Sequence, residues 1–190
     1  MKIKDLLKTA ALYLKESKVL EALDGGDEGI AAADTNTLEK INVMTRLANL
    51  VISELASSYI LMKKCEKISL TGGKFYYTSL SETPIKILSV KTDSGEELIH
   101  NVKHLYTEVF GATEVVVEYA CYPSNRGLDD ETGYTEADVS SRVLSLGLVS
   151  EICLVEGRFD EAVMWHKRYE AGIEAICTPK NKRIRERSFI

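Results

Sequence analysis

Several groups of residues in this chain have the types and spacing that chemistry requires. His100 and His104 stand four apart in "ELIHNVKH", and Cys121 follows as a further donor, a set that zinc would accept. Cys153 and His166 are the components of a thiolate–imidazole pair. Thr71-Gly72-Gly73-Lys74 has the glycines and the lysine of a phosphate loop. Asp24, Asp27 and Glu28, and again Asp129, Asp130 and Glu131, gather carboxylates that suit a hard cation.

Each constellation fails on its context. "ELIHNVKH" reads as a strand and its exit, where residues i and i+4 do not converge as they do on a helix. Cys153 falls on the apolar stripe of a helix, where a thiol packs as a small hydrophobe. "TGGK" lacks both the Walker spacing and the strand–loop–helix setting, so its glycines are expected to supply the positive φ angles of a hairpin turn. The acidic clusters sit in loops without the alternating oxygen ligands of a calcium site. No catalytic residue, metal or cofactor is therefore expected, which favours a structural or interaction protein over an enzyme.

Around these residues the pattern predicts helices at both ends and strands in the middle. Ile3, Leu6, Leu7, Ala10, Ala11, Leu14 and Leu20 recur at helical spacing and predict a first helix over 2–23. The glycine-rich "DGGDEGIAAADTN" predicts a mobile loop. Asn36 with Glu39 reads as a capping box for a second helix running to about Tyr59. Two turn signals follow, Thr71-Gly72-Gly73 and Asp93-Ser94-Gly95, each read as a hairpin. Val115, Val117, Tyr119 and Cys121 then alternate along a strand that Pro123 ends. Thr135 with Asp138 is read as the cap of a third helix stopped by Gly157, and a fourth covers 159–177 until Pro179.

The predicted fold class is α+β, mainly α: a four-helix bundle of order α-α-β-α-α, with an inserted small antiparallel β unit and an extended C-terminal arm. Residues 1–61 and 135–178 make the bundle, 62–123 the insert, 124–134 an acidic loop and 179–190 the arm.

Charge is distributed unevenly. The chain of 190 residues has a net charge of −5. Residues 180–190 hold five cations and one carboxylate, so the preceding body stands at −9. Such a body repels a phosphate backbone. The widely spaced Cys65, Cys121, Cys153 and Cys177 fit a reducing compartment. Lys8, Lys15 and Glu16 interrupt the first apolar run, so neither an export signal nor a membrane span is expected.

The basic end has its own pattern. In extended backbone Arg183, Arg185, Arg187 and Phe189 share one side, while Lys182, Ile184 and Ile190 share the other. Guanidiniums on one side and apolar groups opposite suit strand addition to a partner's sheet edge. Lys182, Arg183, Ile184, Arg185, Arg187, Phe189 and Ile190 are accordingly read as partner-docking residues. The alternative is a basic arm for nucleic acid, which the acidic body and the lack of interleaved aromatics oppose.

The helix, Gly-Arg-Phe break, aromatic-bearing helix and Arg-rich end of "EICLVEGRFDEAVMWHKRYEAGIEAICTPKNKRIRERSFI", together with the order of elements, resemble the head-to-tail adaptor proteins of tailed bacteriophages. These neck proteins include the tail-tubular and portal-adaptor types. The resemblance implies a virion protein of the neck, in a ring of about twelve copies bound to the phage portal protein and to further neck or tail proteins. It also implies that DNA passes through the ring without sequence-specific binding, in packaging and ejection, and that the C-terminal arm latches onto the portal or a neighbouring subunit.

Overall fold

The structure, a computed structural model, describes residues 1–178. Its fold is mixed α+β. Helices α1 (Ile3–Leu14), α2 (Ser17–Asp24), α3 (Gly26–Ala32) and α4 (Thr35–Ser58) come first. Strands β1 (Lys63–Ser69), β2 (Lys74–Tyr76), β3 (Thr83–Lys91), β4 (His100–Val102), β5 (Tyr106–Val109) and β6 (Glu114–Tyr122) follow, with a 3₁₀ turn at Tyr77–Ser79. Helices α5 (Ser141–Val155) and α6 (Phe159–Cys177) close the described chain. The described residues thus contain six α-helices where four were expected.

Two of the differences arise before residue 36. The single helix expected over 2–23 is broken at Lys15, which takes a left-handed φ of 59° and caps α1 by donating its backbone N–H to Ala11 and Leu12 carbonyls. The break turns α2 so that Val19, Ala22 and Leu23 become buried. It also brings Glu16 to the Lys40 ammonium of α4, 2.6 Å away. The expected loop is partly helical: Asp27 and Glu28 occupy the first turn of α3, where the helix dipole favours carboxylates, and Ile30 packs against the core.

The caps also shift. Asp34, not Asn36, caps α4, its Oδ1 accepting from the Thr37 backbone N–H at 2.8 Å. Ile41, Met44, Ala48, Val51 and Leu55 form the buried stripe, while Tyr59 stays exposed. Thr135 and Asp138 do exchange hydrogen bonds, but they close a turn ahead of the helix. Ser140 caps α5 instead. Helix α5 is apolar nearly all round because α1, α4 and α6 each pack against it. Gly157, at φ 76°, separates it from α6 as expected.

The strands form two antiparallel sheets, of order β1-β6-β3 and β2-β5-β4. Both glycine turns exist, with Gly72, Gly73 and Gly95 at positive φ. They do not join paired strands, because the chain crosses from one sheet to the other at each. Single bridges, Thr71 to Lys74 and Lys91 to Glu97, are all that remain of the expected hairpins. Strand β6 lies centrally and buries Val115, Val117, Tyr119 and Cys121. Phe75 and Val109 of the second sheet join these residues and the helices in one apolar cluster.

The expected acidic loop is a strap. Ile3 and Lys4 donate backbone N–H groups to the Asp130 and Leu128 carbonyls, at 3.0 and 2.9 Å, and Thr132 donates to Met1 at 2.9 Å. Asn49 of α4 holds the other side by a two-way exchange with the Arg126 backbone, at 2.9 and 2.8 Å.

Candidate functional site

Lys182, Arg183, Ile184, Arg185, Arg187, Phe189 and Ile190, the expected docking residues, lie outside the described residues. The other candidates are all placed. His100 sits in β4, its Nδ1 against the Leu98 carbonyl at 3.0 Å, and His104 lies in the turn beyond that strand. Cys121 is buried on β6, with its Sγ directed to the Met62 carbonyl. Among the described residues no three His, Cys, Asp or Glu side chains gather to hold a metal.

Cys153 is fully buried in α5, and burial pushes its thiol above the usual cysteine range. His166 lies on α6, turned to Glu170 at 3.5 Å. The thiol therefore packs as core, as its helical position suggested.

Serine, lysine, glutamate and tyrosine do meet at one place on the first sheet. Lys64 Nζ donates to Ser81 Oγ at 2.5 Å, Ser81 donates to Glu66, and Tyr119 Oη donates to the same carboxylate at 3.0 Å. Such a set suggests a serine–lysine dyad. Its ion pairs argue otherwise: the Lys64 ammonium is engaged by Glu66 at 3.3 Å and Glu82 at 3.8 Å. Burial, and then the Glu66 carboxylate, push the Tyr119 phenol up to about 12. Burial opposes ionisation of Glu66, but hydrogen bonds from Ser81, Tyr119 and Lys64 hold its carboxyl below the ordinary range. Every group in the network has a partner, and the network ties β1 to the segment before β3.

Where α4, α5 and α6 meet, the balance differs. Tyr169 is 2% exposed and its hydroxyl has no hydrogen-bond partner. Burial, with Glu54 nearby, raises the Glu151 carboxyl above its ordinary value of 4.5. The folded state therefore binds this proton more tightly than the unfolded chain does. Stability contributed through Glu151 is greatest below pH 4.5 and falls as pH rises toward the folded value. Glu151→Gln is expected to be more stable than the wild type at pH 7, the difference closing below pH 4.5 in urea titrations. A difference that ignores pH would rule out the carboxyl as its source.

Between α1, α5 and α6 lies a cleft of about 470 Å³ lined by Tyr13, Arg142, Val143, Leu146, Trp165 and Arg168. The Tyr13 ring stacks on Trp165 at a centroid distance of 5.4 Å, and the Arg168 guanidinium lies 4.9 Å from the indole centre. Elsewhere, exposed apolar side chains include two sets of sequence neighbours. Ile99, Val102, Leu105 and Phe110 belong to the second sheet and its turns, and Val155, Phe159 and Val163 to the α5–α6 elbow. Sequence reasoning missed the cleft. Trp165 and Arg168 at i, i+3 were a signal for the cation–π pair, but nothing local placed Tyr13 across from them.

No protein-family model matches the chain, and no curated protein matches it at a significant level.

Proposed function

We propose that the chain is a structural subunit of a tailed-phage neck, forming a ring that joins the portal to the tail and continues the DNA channel. On this reading α1, α4, α5 and α6 form a four-helix bundle, the β unit projects from it, and the basic, apolar-tipped final segment reaches the portal. The observation that carries the proposal is the exposure of large apolar side chains on unrelated elements, the second sheet and the α5–α6 elbow among them. A subunit that contacts neighbours through two different patches makes heterologous contacts, which form a ring when the rotation between copies closes. The acidic body supports the channel role: about twelve copies would surround the duplex with on the order of 100 negative charges, which hinder adhesion of DNA at short range.

The reading has no place for an active site, and the partnered state of the Ser81 network and the burial of Cys153 favour that view. Co-expression with a portal protein from the same genome, followed by native mass measurement, tests it. A complex containing many copies of this chain is expected. A strict monomer in the presence of the portal overturns the proposal.

A further inference from the structure

We infer that neighbouring copies of the chain meet head to tail, the acidic turn between β3 and β4 of one seating in the Trp165 cleft of the next. The inference rests on the ring reading and specifies one of its contacts.

The cleft supplies a cationic, apolar socket. Arg142 and Arg168 both project at its rim, and among the described residues neither has a carboxylate within ion-pair distance. No lining residue is acidic. The cleft is thus a cationic patch on a body at −9. Tyr13 and Arg168 already lie against the indole, so the aromatic group forms a preset wall and offers poor access for stacking a nucleobase. Nearly buried Val143 and Leu146 make the apolar floor. Tryptophan, tyrosine and arginine around a small apolar pocket is the composition of a protein–protein hot spot, and the two guanidiniums select carboxylates.

The matching knob is on the β unit. Thr92 and Gly95 close the turn through backbone bonds of 2.9 Å, from Thr92 N–H to the Glu96 carbonyl and from Gly95 N–H to the Thr92 carbonyl. Asp93 is engaged by Lys67. Glu96 and Glu97 are exposed, and among the described residues neither has a cation within ion-pair distance. Beside them Ile99 is 80% exposed, and Phe110, whose N–H donates to the Ile99 carbonyl, is 60% exposed. Asp27 and Glu28 are also unpaired, but no large exposed apolar residue accompanies them. The β3–β4 turn thus joins two unpaired carboxylates to large exposed apolar side chains. Because socket and knob are different surfaces, the contact is heterologous and propagates around a ring.

A charge exchange tests the contact on the full chain. One variant carries Arg142→Glu and Arg168→Glu, the other Glu96→Arg and Glu97→Arg. All four positions are exposed, which makes loss of folding unexpected. Sedimentation velocity and native mass spectrometry at high protein concentration and low salt are expected to show self-association of the wild type, weakened about 100-fold in either variant alone. An equimolar mixture restores assembly, because each variant's knob then meets an opposite charge in the other's socket. If both variants assemble like the wild type, the contact is wrong and the ring reading stands. If both fail and mixing does not restore assembly, the pairing of these two sites is overturned. A wild type that stays monomeric under these conditions also overturns the contact, and the portal experiment then judges the ring reading separately.

Discussion

Gly147→Leu is expected to remove about 3 kcal/mol or more of folding stability, the largest loss from any single change considered. Gly147 lies in the middle of α5, the helix enclosed by α1, α4 and α6. A Cβ at this position would stand 2.9 Å from Cε2 of Tyr169 and 2.9 Å from Cγ1 of Val51. Both neighbours are themselves buried, on α6 and α4, so neither side chain has room to withdraw. Helix propensity works in the opposite direction, since glycine in a helix interior costs about 1 kcal/mol relative to alanine. Gly147→Ala therefore tests the smaller conflict and Gly147→Leu the larger. Helices α5 and α6 approach closely at a second glycine, Gly172, whose Cβ would lie 2.8 Å from Cγ2 of Val143. Urea unfolding at neutral pH measures the effect as a shifted midpoint. A Gly147→Leu variant as stable as the wild type would show that the α5–α6 contact can open without penalty.

Asn49→Ala is expected to release the 126–132 strap at a cost of about 2 kcal/mol, chiefly from its two lost hydrogen bonds to the strap and the backbone groups they leave unpaired. The amide of Asn49 imitates a peptide unit. Its Nδ2 donates to the Arg126 carbonyl at 2.9 Å and its Oδ1 accepts from the Arg126 N–H at 2.8 Å. Beyond Arg126 the strap is held through backbone bonds to residues 1–4 and a 2.7 Å bond from Arg126 Nη1 to the Glu131 carbonyl. Alanine offers no replacement for either Asn49 bond. The change should act locally: amides of Ile3, Lys4 and Thr132 exchange faster, while those inside α5 keep their protection. Unaltered protection at Ile3 and Lys4 would mean that the amino-terminal bridges hold the strap without Asn49.

The contrast between these two sites shows what could be read from sequence. The extent of helix α6 was legible, because the Gly157 and Pro179 breaks that bound it are local signals. The buried face of β6 was legible too, since alternation along a strand assigns faces without reference to partners. Lys15 was not. A non-glycine residue in left-handed geometry carries no local signal, and the turn it makes is supported from α4 through Lys40 and Glu16. The strap was read as a solvated loop because its partners lie far away in the chain, at Asn49 and at the amino-terminal residues.

Composition and periodicity alone determined the mixed class, the place of the β unit and its two glycine turns, the packing role of Cys153 and the acidity of the body. Tertiary structure decided which strands pair, how often the first helix breaks, and that Tyr13, Arg142, Trp165 and Arg168 come together. Periodicity reports how one element presents itself to an unspecified core. Pairing and clefts depend on which surfaces then fit each other, and residues that approach only after packing leave no mark on their own neighbours in the chain.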